Sequence, residues 1–243
     1  TMCLAKWNQT SLHLPTGLTN SCYHPPLHKM DAEAVKLNPA ALHNTAEKLN
    51  QRQQMLQGEQ PEGCSYCWNI EKTGEMSDRQ YRSGEPWAMQ DFEDIRKNPI
   101  DEHWTPRYVE VNFNNACNLK CSYCSPQFST TWGKEIDRYG QYPTSPPHNA
   151  PEHFQGRRRP IPNREENPYV DAFWKWWPTL YKNLKHFRMT GGEPMMDKNT
   201  YKVFQYIIDH PKKDLHLNVT SNMCPADKKL KEKYFNMAKQ NCG

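Results

Sequence analysis

Residues 108–124 read Tyr108-Val-Glu-Val-Asn-Phe113-Asn-Asn-Ala-Cys117-Asn-Leu-Lys-Cys121-Ser-Tyr-Cys124. Tyr108 to Phe113 alternates and is rich in β-forming residues, so it predicts a strand. Asn115-Ala-Cys117 leaves that strand into a loop that carries three cysteines spaced Cys-x3-Cys-x2-Cys. Three thiolates on one short loop can wrap one face of a cubane iron–sulfur cluster, and most such clusters take four thiolates. One iron is then left without a protein ligand. It is open to a substrate or cofactor, as the fourth position is in catalytic zinc sites. On these residues alone, Cys117, Cys121 and Cys124 could also hold zinc with a histidine as fourth ligand.

Downstream, helix and strand patterns alternate. Tyr169 to Leu184 predicts an aromatic helix with Phe173, Trp176, Trp177 and Leu180 on its apolar side. Pro178 is expected to kink or divide that helix. His186 to Thr190 predicts a short strand followed by Gly191-Gly192, Thr200 to His210 a helix, and Leu215 to Thr220 a strand ending at Ser221-Asn222. Asp227 to Lys239 closes the pattern as an amphipathic helix. The order from Tyr108 is β-α-β-α-β-α, which points to a parallel sheet and an α/β fold. Between Ser125 and Asn167 lies a long polar stretch dense in Pro, Gly and His. It is too long for an ordinary connection and reads as an insertion or lid. Its Arg157-Arg158-Arg159 run reads as a solvated loop face, with an anionic partner as the alternative.

The cysteine loop, with Tyr123 just before its last cysteine, resembles the signature of the radical S-adenosylmethionine (SAM) superfamily. Thr190-Gly191-Gly192-Glu193-Pro194 resembles that family's Gly-Gly-Glu-Pro motif, and both motifs follow successive strands. The resemblance implies a (β/α) barrel core, here partial, and a 4Fe–4S cluster on Cys117, Cys121 and Cys124. It implies that SAM chelates the open iron through its ammonium and carboxylate. Gly191, Gly192, Glu193 and Pro194 would lie against the methionine moiety and Tyr123 near the adenine. Ser221 and Asn222 would contact the ribose or carboxylate. Two glycines allow a backbone to approach a ligand without a Cβ in the way. The implied reaction is reductive cleavage of SAM to methionine and a 5′-deoxyadenosyl radical that abstracts hydrogen from a substrate. By family analogy the substrate is a peptide or protein and the electron donor a flavodoxin or ferredoxin. Such a core usually has six β/α units, and three are counted here. The chain, which opens on Thr1, is therefore expected to be incomplete, with Leu215–Thr220 an unpaired edge.

Residues 1–107 predict a small cysteine-bearing domain, mostly helical or irregular, before a core at 108–243. A helix is expected to start at Asn38-Pro39, to run through Leu42, Leu49 and Met55, and to stop near Gly58. Cys3-x13-Gly17-x4-Cys22, with Cys64-x2-Cys67 further on, resembles the opening of the SPASM and twitch auxiliary-cluster domains of radical SAM enzymes. Those domains usually follow the barrel; this region precedes it. The likeness implies a second iron–sulfur cluster on Cys3, Cys22, Cys64 and Cys67. Tetrathiolate zinc fits the same spacings, and purely structural cysteines are the third reading. His13, His24 and His28 nearby are expected to be surface or hydrogen-bonded histidines. The overall likeness is to twitch-domain radical SAM proteins of the phage and environmental type.

Composition sets outer bounds. The 243 residues are long enough to bury a core, and 36% hydrophobic with eight tryptophans suits a folded protein with polar insertions. A net charge of +4 does not demand nucleic acid or an anionic membrane. No run approaches the ~18 to 20 apolar residues of a membrane span, and no signal-peptide pattern opens the chain. Nine cysteines, an odd number, argue against a fully paired disulfide framework and for metal sites in a reducing, cytoplasmic setting. Cys224 and Cys242 have no paired spacing and read as structural, or as ligands whose partners lie outside this chain. The rival to an oxidoreductase of the radical SAM type is a non-enzymatic zinc-binding interaction module.

Overall fold

The computed structural model describes residues 2–141, 158–225 and 227–241. Cys242, Arg157 and residues 142–157 of the expected insertion lie outside the described residues. The strands are β1 (Gln9–His13), β2 (Leu18–Asn20), β3 (His28–Lys29), β4 (Tyr108–Asn112), β5 (His186–Thr190) and β6 (His216–Val219). The helices are α1 (Ala5–Asn8), α2 (Ala32–Leu37), α3 (Ala46–Leu56), α4 (Ser65–Lys72), α5 (Asp78–Gly84), α6 (Pro86–Met89), α7 (Phe92–Lys97), α8 (Thr130–Tyr139), α9 (Pro168–Asn183), α10 (Lys198–Asp209) and α11 (Lys228–Asn241). The strands form one mostly parallel sheet in the order β3-β2-β1-β4-β5-β6. β2 and β3 form an antiparallel pair with Leu18 opposite Lys29 and Thr19 opposite His28. The α/β class follows, and β6 is an edge strand among the described residues.

The chain divides into two compact units. The first holds residues 1–12, 17–110 and 168–187; the second holds 13–16, 111–167 and 188–243. α9 is grouped with the first unit, where it packs on α2 and on the 3-10 turn Pro39–Leu42.

In the first unit, the start is mostly helical or irregular, as expected, and also carries the short strands β1, β2 and β3, which were not expected. β1 reads Gln-Thr-Ser-Leu-His, and Gln9, Thr10 and Ser11 are all buried. A strand that buries polar side chains has no hydropathy alternation to betray it. The single helix expected from Asn38 to Gly58 is corrected. Asn38 caps only the 3-10 turn, accepting from Ala40 N. Thr45 then caps α3 afresh by accepting from Lys48 N at 3.2 Å. The break is fixed by buried bonds: His43 Nε2 lies 2.7 Å from Trp7 O, and Asn44 donates to Glu102 O and Trp104 O. Gly58 ends the stretch at φ +83, as expected. α9 buries Phe173, Trp176, Trp177 and Leu180 and continues through Pro178 undivided. Trp177 meets Phe187 of β5 at 4.8 Å between ring centroids. Such aromatic contacts hold the helix despite the amide hydrogen bond that proline removes.

In the second unit, part of the expected insertion is the ordered helix α8, capped by Ser129 Oγ accepting from Trp132 N and closed by Gly140. Only Trp132 and Ile136 are buried on it, too sparse a stripe to read among charged neighbours. β5 buries Phe187 and Met189. α10 buries Tyr201, Val203, Phe204 and Ile207 and packs on α11.

Candidate functional site

The cysteine loop leaves β4 and is clasped by the first turn of α8. Cys117 O accepts from the Thr130 and Thr131 hydroxyls at 3.2 and 2.6 Å. Trp132 Nε1 donates to Cys121 O at 3.0 Å, and Ser129 Oγ to Leu119 O at 2.8 Å. Cys124 N donates to Cys121 O at 2.9 Å, which turns the last two cysteines back on themselves. Lys120 pairs with Glu135 across the loop. The three thiols are half-buried and free. Burial pushes the Cys124 thiol up, and negative charge on Cys117 and Cys121 adds to that shift. The three sulfurs therefore sense one another.

Strand ends β5 and β6 supply the rest. Gly191 and Gly192 have φ of +71 and +50. A Cβ on Gly191 would lie 2.1 Å from Asn112 Cγ, and one on Gly192 would lie 2.7 Å from Ala116 O. On the Cβ side, each glycine is met by β4 or by the cysteine loop. Glu193 N completes this contact by donating to Ala116 O at 2.6 Å.

Glu193 is 1% exposed. Its Oε1 accepts from Ser221 Oγ at 2.7 Å and Met195 N at 2.8 Å, and its Oε2 from Asn222 N at 2.7 Å. The carboxylate therefore ties the end of β5 to the end of β6. Pro194 opens the 3-10 turn Pro194–Met196 that follows. Asn222 reaches further: its Nδ2 donates to Asn118 Oδ1 at 3.1 Å and toward Cys117 Sγ at 3.8 Å. Leu119 N also donates toward Cys117 Sγ, at 3.5 Å. Cys224 is exposed, and its backbone carbonyl accepts from Asn118 Nδ2 at 2.6 Å. Tyr123 is 92% exposed; the Cys121 thiol, by hydrogen bond and charge, raises its phenol. The structure thus brings Cys117, Cys121, Cys124, Gly191, Gly192, Glu193, Pro194, Ser221 and Asn222 into one region and leaves Tyr123 facing outward. Asn112, Asn118, Thr130 and Thr131 were not singled out in the sequence; the density of Asn and Thr around the cysteines was the only signal.

In the first unit, Cys3, Cys22, Cys64 and Cys67 line one cavity. Cys3 precedes α1, Cys22 follows β2, and Cys64 and Cys67 straddle the start of α4. Cys3, Cys64 and Cys67 are buried and Cys22 half-buried. Burial pushes Cys3 up to about 12 against an ordinary 9.0, and Cys22 and Cys67 rise for the same first reason. Neighbouring thiolate charge contributes in all three. Ser21 Oγ lines the cavity too and is buried with no hydrogen-bond partner. His24 stacks on Tyr66 and bonds Asp78, and His28 bonds Thr45. Gly17 has φ +62, and a Cβ there would fall 2.3 Å from the Tyr169 ring, so the glycine of the cysteine spacing serves a packing contact.

Among the described residues, no group of three or more His, Cys, Asp or Glu side chains is gathered as one metal ion requires. A single zinc ion draws its sulfurs to about 2.3 Å from one centre, whereas a cubane places each thiolate on its own iron. No helix among the described residues is long and apolar enough to cross a membrane.

No protein-family model matches the chain, and no solved structure matches it. Among curated proteins, the GTP 3',8-cyclase of Aliarcobacter butzleri (strain RM4018) is 24% identical over 128 residues. The match covers 51% of this chain and 31% of the relative, so the chain spans under a third of that protein's length. The relative is a radical SAM enzyme, and the likeness supports that superfamily for this chain at the level of a distant relationship.

Proposed function

We propose that the chain is a radical SAM enzyme whose 4Fe–4S cluster is held by Cys117, Cys121 and Cys124, with a second cluster, of the twitch or SPASM type, held by Cys3, Cys22, Cys64 and Cys67. The observation that carries the first part is the chain of contacts from Glu193 through Asn222 to Cys117 Sγ. It joins the Gly-Gly-Glu-Pro turn, the end of β6 and the cysteine loop at one place. Bound there, the cluster and SAM would supply one-electron cleavage and hydrogen abstraction.

The chain's own residues have definite tasks in this reading. Cys124, raised by burial, gives up its proton on ligation. Asn222 and Leu119 direct N–H groups at the Cys117 sulfur, where a ligating sulfur would accept them. Glu193 acts through Ser221 and Asn222, so it is a positioning residue. The half-buried backbone of Thr190–Gly192 is left to meet the ammonium of SAM. Tyr123, largely exposed, would close on an adenine. The substrate is a peptide or protein and the electron donor a flavodoxin or ferredoxin, both on the strength of the auxiliary-cluster resemblance.

The test is spectroscopic. The anaerobically purified chain, loaded with iron and sulfide and reduced with dithionite, should be brown. Its electron paramagnetic resonance signal should change when SAM is added. That change should vanish when Cys117, Cys121 and Cys124 are replaced by Ala. A signal indifferent to SAM, or a colourless protein carrying zinc alone, overturns the reading.

A further inference from the structure

Ser21 lies between β2 and Cys22, lines the four-thiol cavity and is 2% exposed. Its hydroxyl is buried with no hydrogen-bond partner. The other polar side chains that line the cavity, the thiols aside, are engaged. Lys6 Nζ donates to Gln51 Oε1 at 2.6 Å. Tyr23 OH lies 3.3 Å from Tyr108 OH, and His24 Nε2 lies 2.6 Å from Asp78 Oδ2. Arg79 donates twice to Glu71, at 2.8 and 2.7 Å, and once to Met2 O at 2.8 Å. Arg82 pairs with Glu85 at 3.9 Å. Among the described residues around the cavity, Ser21 alone presents a buried side-chain oxygen that nothing answers. Its own loop offers no relief. Asn20 Nδ2 donates to Pro25 O at 3.4 Å, and Asn20 O accepts from Thr10 Oγ1 at 3.3 Å.

A buried hydroxyl with its hydrogen bond unmade is costly, and most buried polar groups in folded chains find a partner. What this cavity offers is sulfur, from Cys3, Cys22, Cys64 and Cys67. A thiol is a weak acceptor. A metal-bound thiolate or a cluster sulfide carries negative charge, and hydrogen bonds to charged acceptors are the stronger ones. We infer that the Ser21 hydroxyl donates a hydrogen bond to a sulfur of the cluster held by Cys3, Cys22, Cys64 and Cys67, and so raises the reduction potential of that cluster. This rests on the reading that those four cysteines hold an iron–sulfur cluster. One-electron reduction adds one negative charge to the core, which the sulfurs share. A donor aimed at a sulfur favours that more negative state. Ser21 is therefore a positioning residue that acts through sulfur, and its oxygen is no part of the ligand set.

The test uses the full chain with Cys117, Cys121 and Cys124 replaced by Ala, so that only the first-unit site can load. Dithionite supplies the electron, and the reduction midpoint is read by electron paramagnetic resonance in an anaerobic titration. In that background Ser21→Ala should disfavour the reduced state by about tenfold, a midpoint roughly 59 mV more negative for one electron. Ser21→Thr, which keeps the hydroxyl, should hold the midpoint of the parent. If Ser21→Ala loads poorly, Ser21→Gly removes the same hydroxyl and is read in the same way. A hydroxyl that is only structural, or that holds only a buried water, changes the melting midpoint on removal and leaves the potential where it was. An unchanged potential in the iron-loaded Ser21→Ala chain, or one lowered equally in Ser21→Thr, overturns the inference while the cluster reading stands. A parent that loads zinc alone, or no metal, overturns both.

Discussion

Replacing Glu193 by Gln separates two roles that one carboxylate could play. In the structure both of its oxygens are occupied, Oε1 by Ser221 Oγ and Met195 N, Oε2 by Asn222 N. An amide has one oxygen, and either orientation sets its N–H2 against a backbone N–H. With oxygen toward Ser221 and Met195, the N–H2 faces Asn222 N at the present 2.7 Å. Turned over, it faces Met195 N at 2.8 Å, while the Ser221 hydroxyl can rotate to accept. One charge-assisted bond worth roughly 1.5–3 kcal/mol is lost in either case, and a buried donor is orphaned. With some relaxation the net cost is about 2–4 kcal/mol. For a chain of this size that lowers the melting midpoint by roughly 4–16 °C. Differential scanning calorimetry measures it, and iron analysis in parallel should show the cluster still loaded. SAM affinity should fall as well, through the displaced Asn222. An unchanged midpoint with SAM affinity lost would refute this reasoning, because the carboxylate would then be contacting SAM and not bracing the two strands.

Three further outcomes follow from the first unit and its thiols. Gly17→Ala, at φ +62 with its Cβ 2.3 Å from the Tyr169 ring, should cost at least about 1 kcal/mol, read as a shift in denaturant midpoint; no shift would show that the Tyr169 contact yields freely. The Cys3 thiol, about 12 when folded and 9.0 otherwise, gives stability of the metal-free chain a defined pH course. Between those values the unfolded chain releases the proton first, so stability should be full below pH 9 and fall as pH rises toward 12, by up to ~1.4 kcal/mol per unit. Urea midpoints of the reduced chain at pH 8 and 10 check this, and Cys3→Ala should flatten the course. Removing metal by anaerobic chelation should admit protease within residues 2–72 before residues 188–241; simultaneous cutting would count against a first unit stabilised by its own metal.

What could be read from residue order and what could not divide on physical grounds. β5 and α10 were legible because their burial is apolar and periodic, with Phe187 and Met189 alternating on the strand and Val203, Phe204 and Ile207 on one helix face. β1 was hidden because its buried residues are Gln9, Thr10 and Ser11, and the Thr10 hydroxyl meets Thr19 of β2 and Lys48 of α3. The break before α3 was hidden for a related reason. Asn38 and Thr45 are both good caps, and only the buried bonds of His43 and Asn44 decide between one helix and two. The close spacings Cys117-x3-Cys121-x2-Cys124 and Cys64-x2-Cys67 were legible because they are local, whereas the cavity that Cys3 and Cys22 share with Cys64 and Cys67 depends on chain far apart in sequence. The direction of the Glu193 carboxylate was not local: it depends on the end of β6, some thirty residues on, meeting the end of β5. The burial of Lys6, Lys48 and Arg52 gave no signal, because in sequence they are ordinary charged residues of helices.

The central claim is tested most directly by incubating the anaerobically loaded chain with SAM and dithionite and following 5′-deoxyadenosine by mass spectrometry. The three-thiol site at the ends of β4, β5 and β6 predicts its formation by the unmodified chain. It predicts none when Cys117, Cys121 and Cys124 are together replaced by Ala, even though the first-unit cysteines still hold about half the iron and sulfide. Absence of 5′-deoxyadenosine from an iron-loaded chain, or its equal formation by the triple variant, would contradict the account.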